Sequence, residues 1–204
     1  MSAISQVKIC NMALTKLGAK RITALDDGTE EGRLCAAVYD EMLEDVLCEH
    51  PWSFATKRVA LALVDATPAF DFSLIYQVPV DSLRIWSTNL PGYRYRIEGD
   101  KVLSSDAELK VIYTYRNENP ALYFPKFSVA LASRLAVWIS FPLLASNTTK
   151  KELKDDYQLD LIKAIRSDSQ QGTPFTPLNN ELINARDQGP FSGEDSTDSS
   201  WFSI

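Results

Sequence analysis

Residues 11–55 read NMALTKLGAK RITALDDGTE EGRLCAAVYD EMLEDVLCEH PWSFA. Two helices and the turn between them can be read off this stretch. The first helix begins upstream, at Ser5, and runs to Leu17. Val7, Cys10, Ala13, Leu14 and Leu17 recur at helical spacing, and Gly18 stands where a helix end wants a left-handed residue. Asp27 and Glu30 form an Asp-x-x-Glu capping pair, which predicts a second helix to about Glu49. Its buried stripe is expected to be Leu34, Cys35, Val38, Tyr39, Met42 and Val46. Pro51 lacks a backbone donor and stops it.

Beyond Trp52 the period changes from helical to two. Val59, Leu61 and Leu63 alternate, and Leu83 and Ile85 follow the Val78-Pro79-Val80 edge. Tyr93, Tyr95 and Ile97 alternate with Arg94, Arg96 and Glu98. Gly99-Asp100 is expected to be a two-residue hairpin turn into Lys101, and Leu109, Val111 and Tyr113 close the set. Helix resumes after Pro120 and runs to Leu144, with Pro142 kinking or ending it. Thr149-x-x-Glu152 predicts the cap of a last helix reaching about Arg166. The fold class is therefore α+β. A bundle of about four helices (about 5–50 and 120–168) carries an inserted antiparallel β lobe (about 52–116). Residues 1–169 form the core and 170–204 an extended acidic arm. The arm is too polar for a core of its own, yet Phe175, Leu178, Phe191, Trp201 and Phe202 stand along it as spaced apolar anchors.

The 204 residues suffice for one sizeable core. A net charge of −6 argues against a dedicated binder of nucleic-acid backbone, which needs clustered Lys and Arg. The charge is uneven: residues 26–50 hold nine acids and one base, whereas residues 1–25 hold four bases and no acid. Residues 1–11 lack the basic start and apolar run of a secretory signal. Val129 to Ala145 contains Arg134 and Pro142 and is short for a membrane span, so no membrane is expected. Three cysteines without framework spacing suit a reducing, cytoplasmic birthplace.

Few residues offer chemistry. Cys48-x-His50 could begin a metal site, but Cys35 lies thirteen residues earlier, about 20 Å along one helix. No metal or cofactor is expected. His50 is the only histidine; at a helix end its imidazolium would face the terminal carbonyls, a structural role shared with Pro51 and Trp52. Tyr93-Arg94-Tyr95-Arg96 has the alternation of a base-stacking strand and reads more simply as a strand with one polar face. Gly92 and Gly99 are turn glycines, not a phosphate loop. Arg134 interrupts an apolar helix, so it must snorkel or meet a carboxylate, either in its own chain or in a neighbouring subunit. Asp40, Glu41, Glu44, Asp45 and Glu49 face away from the second helix's apolar stripe.

The 11–55 stretch carries Asn11, Leu17-Gly18-Ala19, Ile22, Cys35, Tyr39 and His50-Pro51-Trp52-Ser53-Phe54-Ala55. Further on come Tyr76-x-x-Pro79-x-Asp81-x-Leu83-Arg84, Ile97-Glu98-Gly99, Val111-Ile112-Tyr113, Phe124-Pro125-x-Phe127, Leu131-Ala132 and Leu135-Ala136. In these residues the chain resembles the tail tubular protein A family, the head-to-tail adaptors of short-tailed bacteriophages. The resemblance spans about residues 1–175, with Gly32 and Arg33 departing from it locally. It implies a virion structural protein without a catalytic site, made in the host cytoplasm and placed in the virion tail. Such a protein would form a ring, twelve-fold in relatives, between the portal protein and the tail nozzle protein, near the tail-fibre attachment zone. DNA would pass through the channel without specific binding. The five acids of the second helix are then candidates for the channel wall, where negative charge repels phosphate. The five arm anchors are candidates for portal binding. The competing reading is a virion-associated glycan hydrolase using acid pairs such as Asp26-Asp27 and Glu30-Glu31, since glycoside cleavage needs two carboxyls about 5–10 Å apart.

Overall fold

Ser5 opens helix α1 (Gln6–Lys16) by accepting a hydrogen bond from the Lys8 amide at 3.2 Å. Gly18 ends it at φ +69°, and the Ala19 amide turns back to the Leu14 carbonyl at 3.0 Å. Asn11 then pins the connection with two 2.8 Å bonds, its amide to the Ile22 carbonyl and its carbonyl to the Ile22 amide. These are from a computed structural model, which describes residues 4–144 and 147–170.

Helix α2 (Glu30–Cys48) is capped by Thr29, not by Asp27. The Thr29 hydroxyl accepts from the Gly32 amide at 3.0 Å. Asp27 stands two residues too early, and Gly28 (φ +76°) swings the chain between them. Its carboxylate instead accepts from the Thr29 amide and hydroxyl, at 3.1 and 2.5 Å. The buried face of α2 is also rotated from the expected stripe. Cys35, Tyr39, Met42 and Val46 are buried, but Leu43 and Leu47 join them while Leu34 and Val38 are only half-buried. Leu43 and Leu47 lie one turn apart on the helix, and both are buried.

Helix α3 (Pro125–Leu144) packs against α1, α2 and α4 (Asn147–Ser169) and is the centre of the helical body. Phe127, Leu131, Leu135 and Ile139 are buried along it. Its segment Pro125–Leu143 is long and apolar enough to cross a membrane by length and composition, a test that a buried core helix also meets. Pro142 is accommodated in its last turn. Helix α4 already runs at Asn147, so Thr149 lies in the first turn and is not the cap. Asp160 of α4 gathers Lys16 of α1 at 2.9 Å and Ser133 of α3 at 2.7 Å, tying three helices at one carboxylate.

Between α2 and α3 the chain builds two antiparallel sheets, so the architecture among the described residues is α+β with an inserted β lobe. The three-stranded sheet runs β1 (Thr56–Ala60), β7 (Lys110–Tyr115), β4 (Ser82–Thr88). The four-stranded sheet runs β2 (Ala62–Val64), β3 (Leu74–Gln77), β6 (Lys101–Ser104), β5 (Tyr95–Glu98). The expected single strand through Val59, Leu61 and Leu63 breaks at Leu61, where the chain changes sheets. The Leu61 amide bonds the Leu109 carbonyl at 2.8 Å and its side chain is buried, whereas Val59 and Leu63 are exposed. The alternation was real but only its middle member enters the core. Tyr93 likewise belongs to a 3-10 turn (Gly92–Arg94) ahead of β5 and is exposed. Gly99-Asp100 does make the two-residue turn, with Glu98 opposite Lys101 and Gly99 at φ +61°. Leu61, Tyr76, Val102, Leu109, Val111 and Tyr113 form the core of the lobe.

Candidate functional site at the joint of helices and sheets

The residues that join the helical body to the β lobe start at the end of α2. Pro51 turns the chain within three residues, and the Trp52 amide bonds the His50 carbonyl at 2.8 Å. Trp52 then enters the core with no exposed surface. Its indole donates to the Val46 carbonyl at 2.9 Å, and its ring lies 5.0 Å from Phe127, 5.8 Å from Phe124 and 6.3 Å from Phe54. A buried indole needs such a partner for its N–H, and here the partner is a last-turn carbonyl of α2.

His50 does not face the carbonyls that the sequence suggested. Its Nε2 meets Asp168 Oδ2, near the end of α4, at 3.1 Å. Asp168 is buried and also accepts from the Ser53 hydroxyl at 2.6 Å and the Ser53 amide at 3.1 Å. Burial pushes the Asp168 carboxyl up, but the hydrogen bonds from His50 and Ser53 outweigh it and hold the group below the usual carboxylate range. Ser, His and Asp are thus together, but the carboxylate sits between the other two. A hydrolytic relay needs the imidazole between hydroxyl and carboxylate. The cluster fastens α4 to the α2–β1 connection.

The last-turn carbonyl of Cys48 is taken instead by Arg84 of β4, at 2.7 Å, with the guanidinium stacked 4.1 Å over Trp86. On β1, Lys57 pairs with Asp81 at 2.6 Å, and Tyr113 donates to the same carboxylate at 3.1 Å. The Lys57 contact is the main reason the Asp81 carboxyl lies below its ordinary range. Tyr115 and Asn117 both donate to the Phe54 carbonyl, at 3.3 and 3.0 Å.

The acidic face of α2 is partly spoken for. Arg116, just after β7, reaches Glu44 at 2.7 Å, Glu118 at 2.8 Å and Asp40 at 3.5 Å. Arg134 finds its carboxylate within its own chain: Asp45 at 2.6 Å, with the Tyr157 ring 5.1 Å away. Glu41 and Glu49 are exposed and make no ion pair among the described residues. Asp27 is held below the ordinary range first by the Thr29 hydroxyl, opposite to the raised value a general acid needs. Cys10 and Cys35 are buried; the neighbouring Cys35 thiol and burial push the Cys10 thiol up, and burial raises Cys48. Among the described residues no three His, Cys, Asp or Glu side chains gather as a metal site. Phe175, Leu178, Phe191, Trp201 and Phe202 lie outside the described residues.

Compared with protein-family models and with curated proteins, the chain matches none. Ser53, Arg84, Arg116 and Asp168 carry most of the joint, and sequence reading did not single out Ser53, Arg116 or Asp168 for it. The available signals were a polar residue directly after Pro-Trp and an Asp at the end of the last predicted helix, and nothing in the sequence brings the second to His50.

Proposed function

We propose that the protein is a head-to-tail adaptor subunit of a short-tailed bacteriophage. Copies form a ring between portal and tail nozzle, the tail fibres attach nearby, and DNA leaves through the channel. One observation carries the reading. The residues in which the chain resembles such adaptors cluster where helices meet sheets: Trp52 and Ser53 in the turn, Asp81 and Arg84 on the lobe. What they build is a rigid joint, the feature a load-bearing connector requires. Glu41 and Glu49 supply outward negative charge of the kind that keeps DNA from sticking in a channel. Asp40, Glu44 and Asp45 contribute less, because Arg116 and Arg134 neutralise them.

In this reading the acidic segment 170–204 is the portal-binding element. Phe191, Trp201 and Phe202 bury on a partner, which delays ring joining until the partner is present. Interface energy concentrates in a few such residues, about 2 kcal/mol or more each. Electron microscopy of the protein mixed with portal rings tests the proposal. Full-length chains should decorate the rings, and chains ending at Gln170 should not. Rings decorated equally by both would overturn the role of the arm, and no decoration by either would overturn the adaptor reading.

A further inference from the structure

The described chain stops at Gln170, two residues after the carboxylate that grips Ser53. Ser53 stands at the foot of β1, so whatever follows α4 starts beside that strand. Strand β1 is at one edge of its sheet, paired only with β7, and Lys57 to Ala60 are exposed. On the sheet face beside it lies a cleft of about 360 Å³, walled by Arg58, Ala60, Val111 and Ile112 and closed by Ser87 and Asn89 of the β4 side. Val59 is a large apolar side chain left exposed at this cleft.

We propose that residues 171–178 of the same chain run along the open edge of β1 and seat Phe175 in this cleft. Three observations converge on that occupant. The first is reach. From Ser53 the chain runs through a 3-10 turn (Ser53–Ala55) and then along β1 to Val59, about 16 Å. Helix α4 ends at Ser169, so from Asp168 to Phe175 the chain offers one helical step and six residues beyond it, about 20 Å at most. The second is chemistry. Residues 170–178, QQGTPFTPL, carry no charge and two large apolar side chains, and the cleft is lined by Val59, Ala60, Val111 and Ile112 together with Arg58, a side chain able to stack on an aromatic face. The third is the edge itself. Unpaired backbone groups on an edge strand accept an added strand, whose alternate side chains fall on the same face as Arg58 and Ile112. Pro174 and Pro177 lack donors, which limits the pairing to a short ladder and suits an edge position. Phe191, Trp201 and Phe202 remain for a partner.

The inference does not depend on the adaptor reading. The full chain with Phe175→p-benzoylphenylalanine, irradiated as a dilute monomer, should cross-link within the chain to tryptic peptides 59–84, 85–94 or 111–116. Cross-links elsewhere, or only between copies, would overturn the proposal. Hydrogen exchange supplies a second readout. Full-length Phe175→Ala should lose amide protection at residues 56–60 and keep it in the β5–β6 hairpin, and unchanged exchange in β1 would overturn the proposal. Portal joining, scored separately, bears only on the adaptor reading.

Discussion

Trp52 is the single side chain on which the joint depends most. It has no exposed surface, and it contacts α2 through its N–H and α3 through Phe127. Trp52→Ala leaves an aromatic-sized void and removes the indole's bond to the Val46 carbonyl, so it should cost about 3–5 kcal/mol in chemical denaturation. Asp168 predicts a pH effect. Its folded pKa is depressed below the unfolded value near 3.9. Its contribution is therefore complete above that unfolded value and is lost as pH falls through the folded one. Asp168→Asn should lower stability at neutral pH by about 2 kcal/mol and flatten the fall in stability below about pH 4. Unfolding midpoints at pH 7, 5, 4 and 3 check both; an unchanged acid limb would assign acid sensitivity to Asp81 and Asp160, whose carboxyls are also depressed.

At the scale of elements, α2 tests the difference between a charged face and a set of ties. Asp45 holds Arg134, which is mostly buried, whereas Glu41 holds nothing among the described residues. Asp45→Asn should cost about 1–3 kcal/mol by stranding a guanidinium, and Glu41→Gln should stay within about 0.5 kcal/mol. Equal urea midpoints for the two would make α2's outer acids interchangeable. Arg84→Ala should cost about 1 kcal/mol through the lost Cys48 contact and Trp86 stacking. The elements themselves were largely legible in the sequence, because their signals are local. Ser5, Gly18, Pro51 and the Gly99-Asp100 turn each act within a few residues. Misreadings came where two local solutions competed or a distant partner decided. Asp27 and Thr29 both suit a cap, and only the turn at Gly28 selects Thr29. The break at Leu61 follows from its pairing with Leu109, forty-eight residues on, which no period-two pattern can report. The site was less legible for the same reason: the contacts of Asp168, Arg84 and Arg134 span 36 to 118 positions.

At the scale of the whole molecule, the helical body and the lobe have separate cores, joined through the Trp52 turn and β4. A chain ending at Gln170 retains every contact described for both cores. It should unfold with the same cooperativity as the full chain, losing the proposed added strand at the β1 edge and, in the adaptor reading, attachment to portal rings. Calorimetry on the two forms checks the first half, and a broadened or split transition in the shorter chain would show that the arm supports the core.

Asp168 also fixes how force would travel. Tension applied anywhere beyond residue 170 meets its carboxylate before it can peel α4 from α3. The His50 and Ser53 bonds pass that pull to the foot of β1 and the buried indole beside it. A load on the tail of the chain is thus shared with the buried joint between helices and sheets rather than borne by the end of α4 alone.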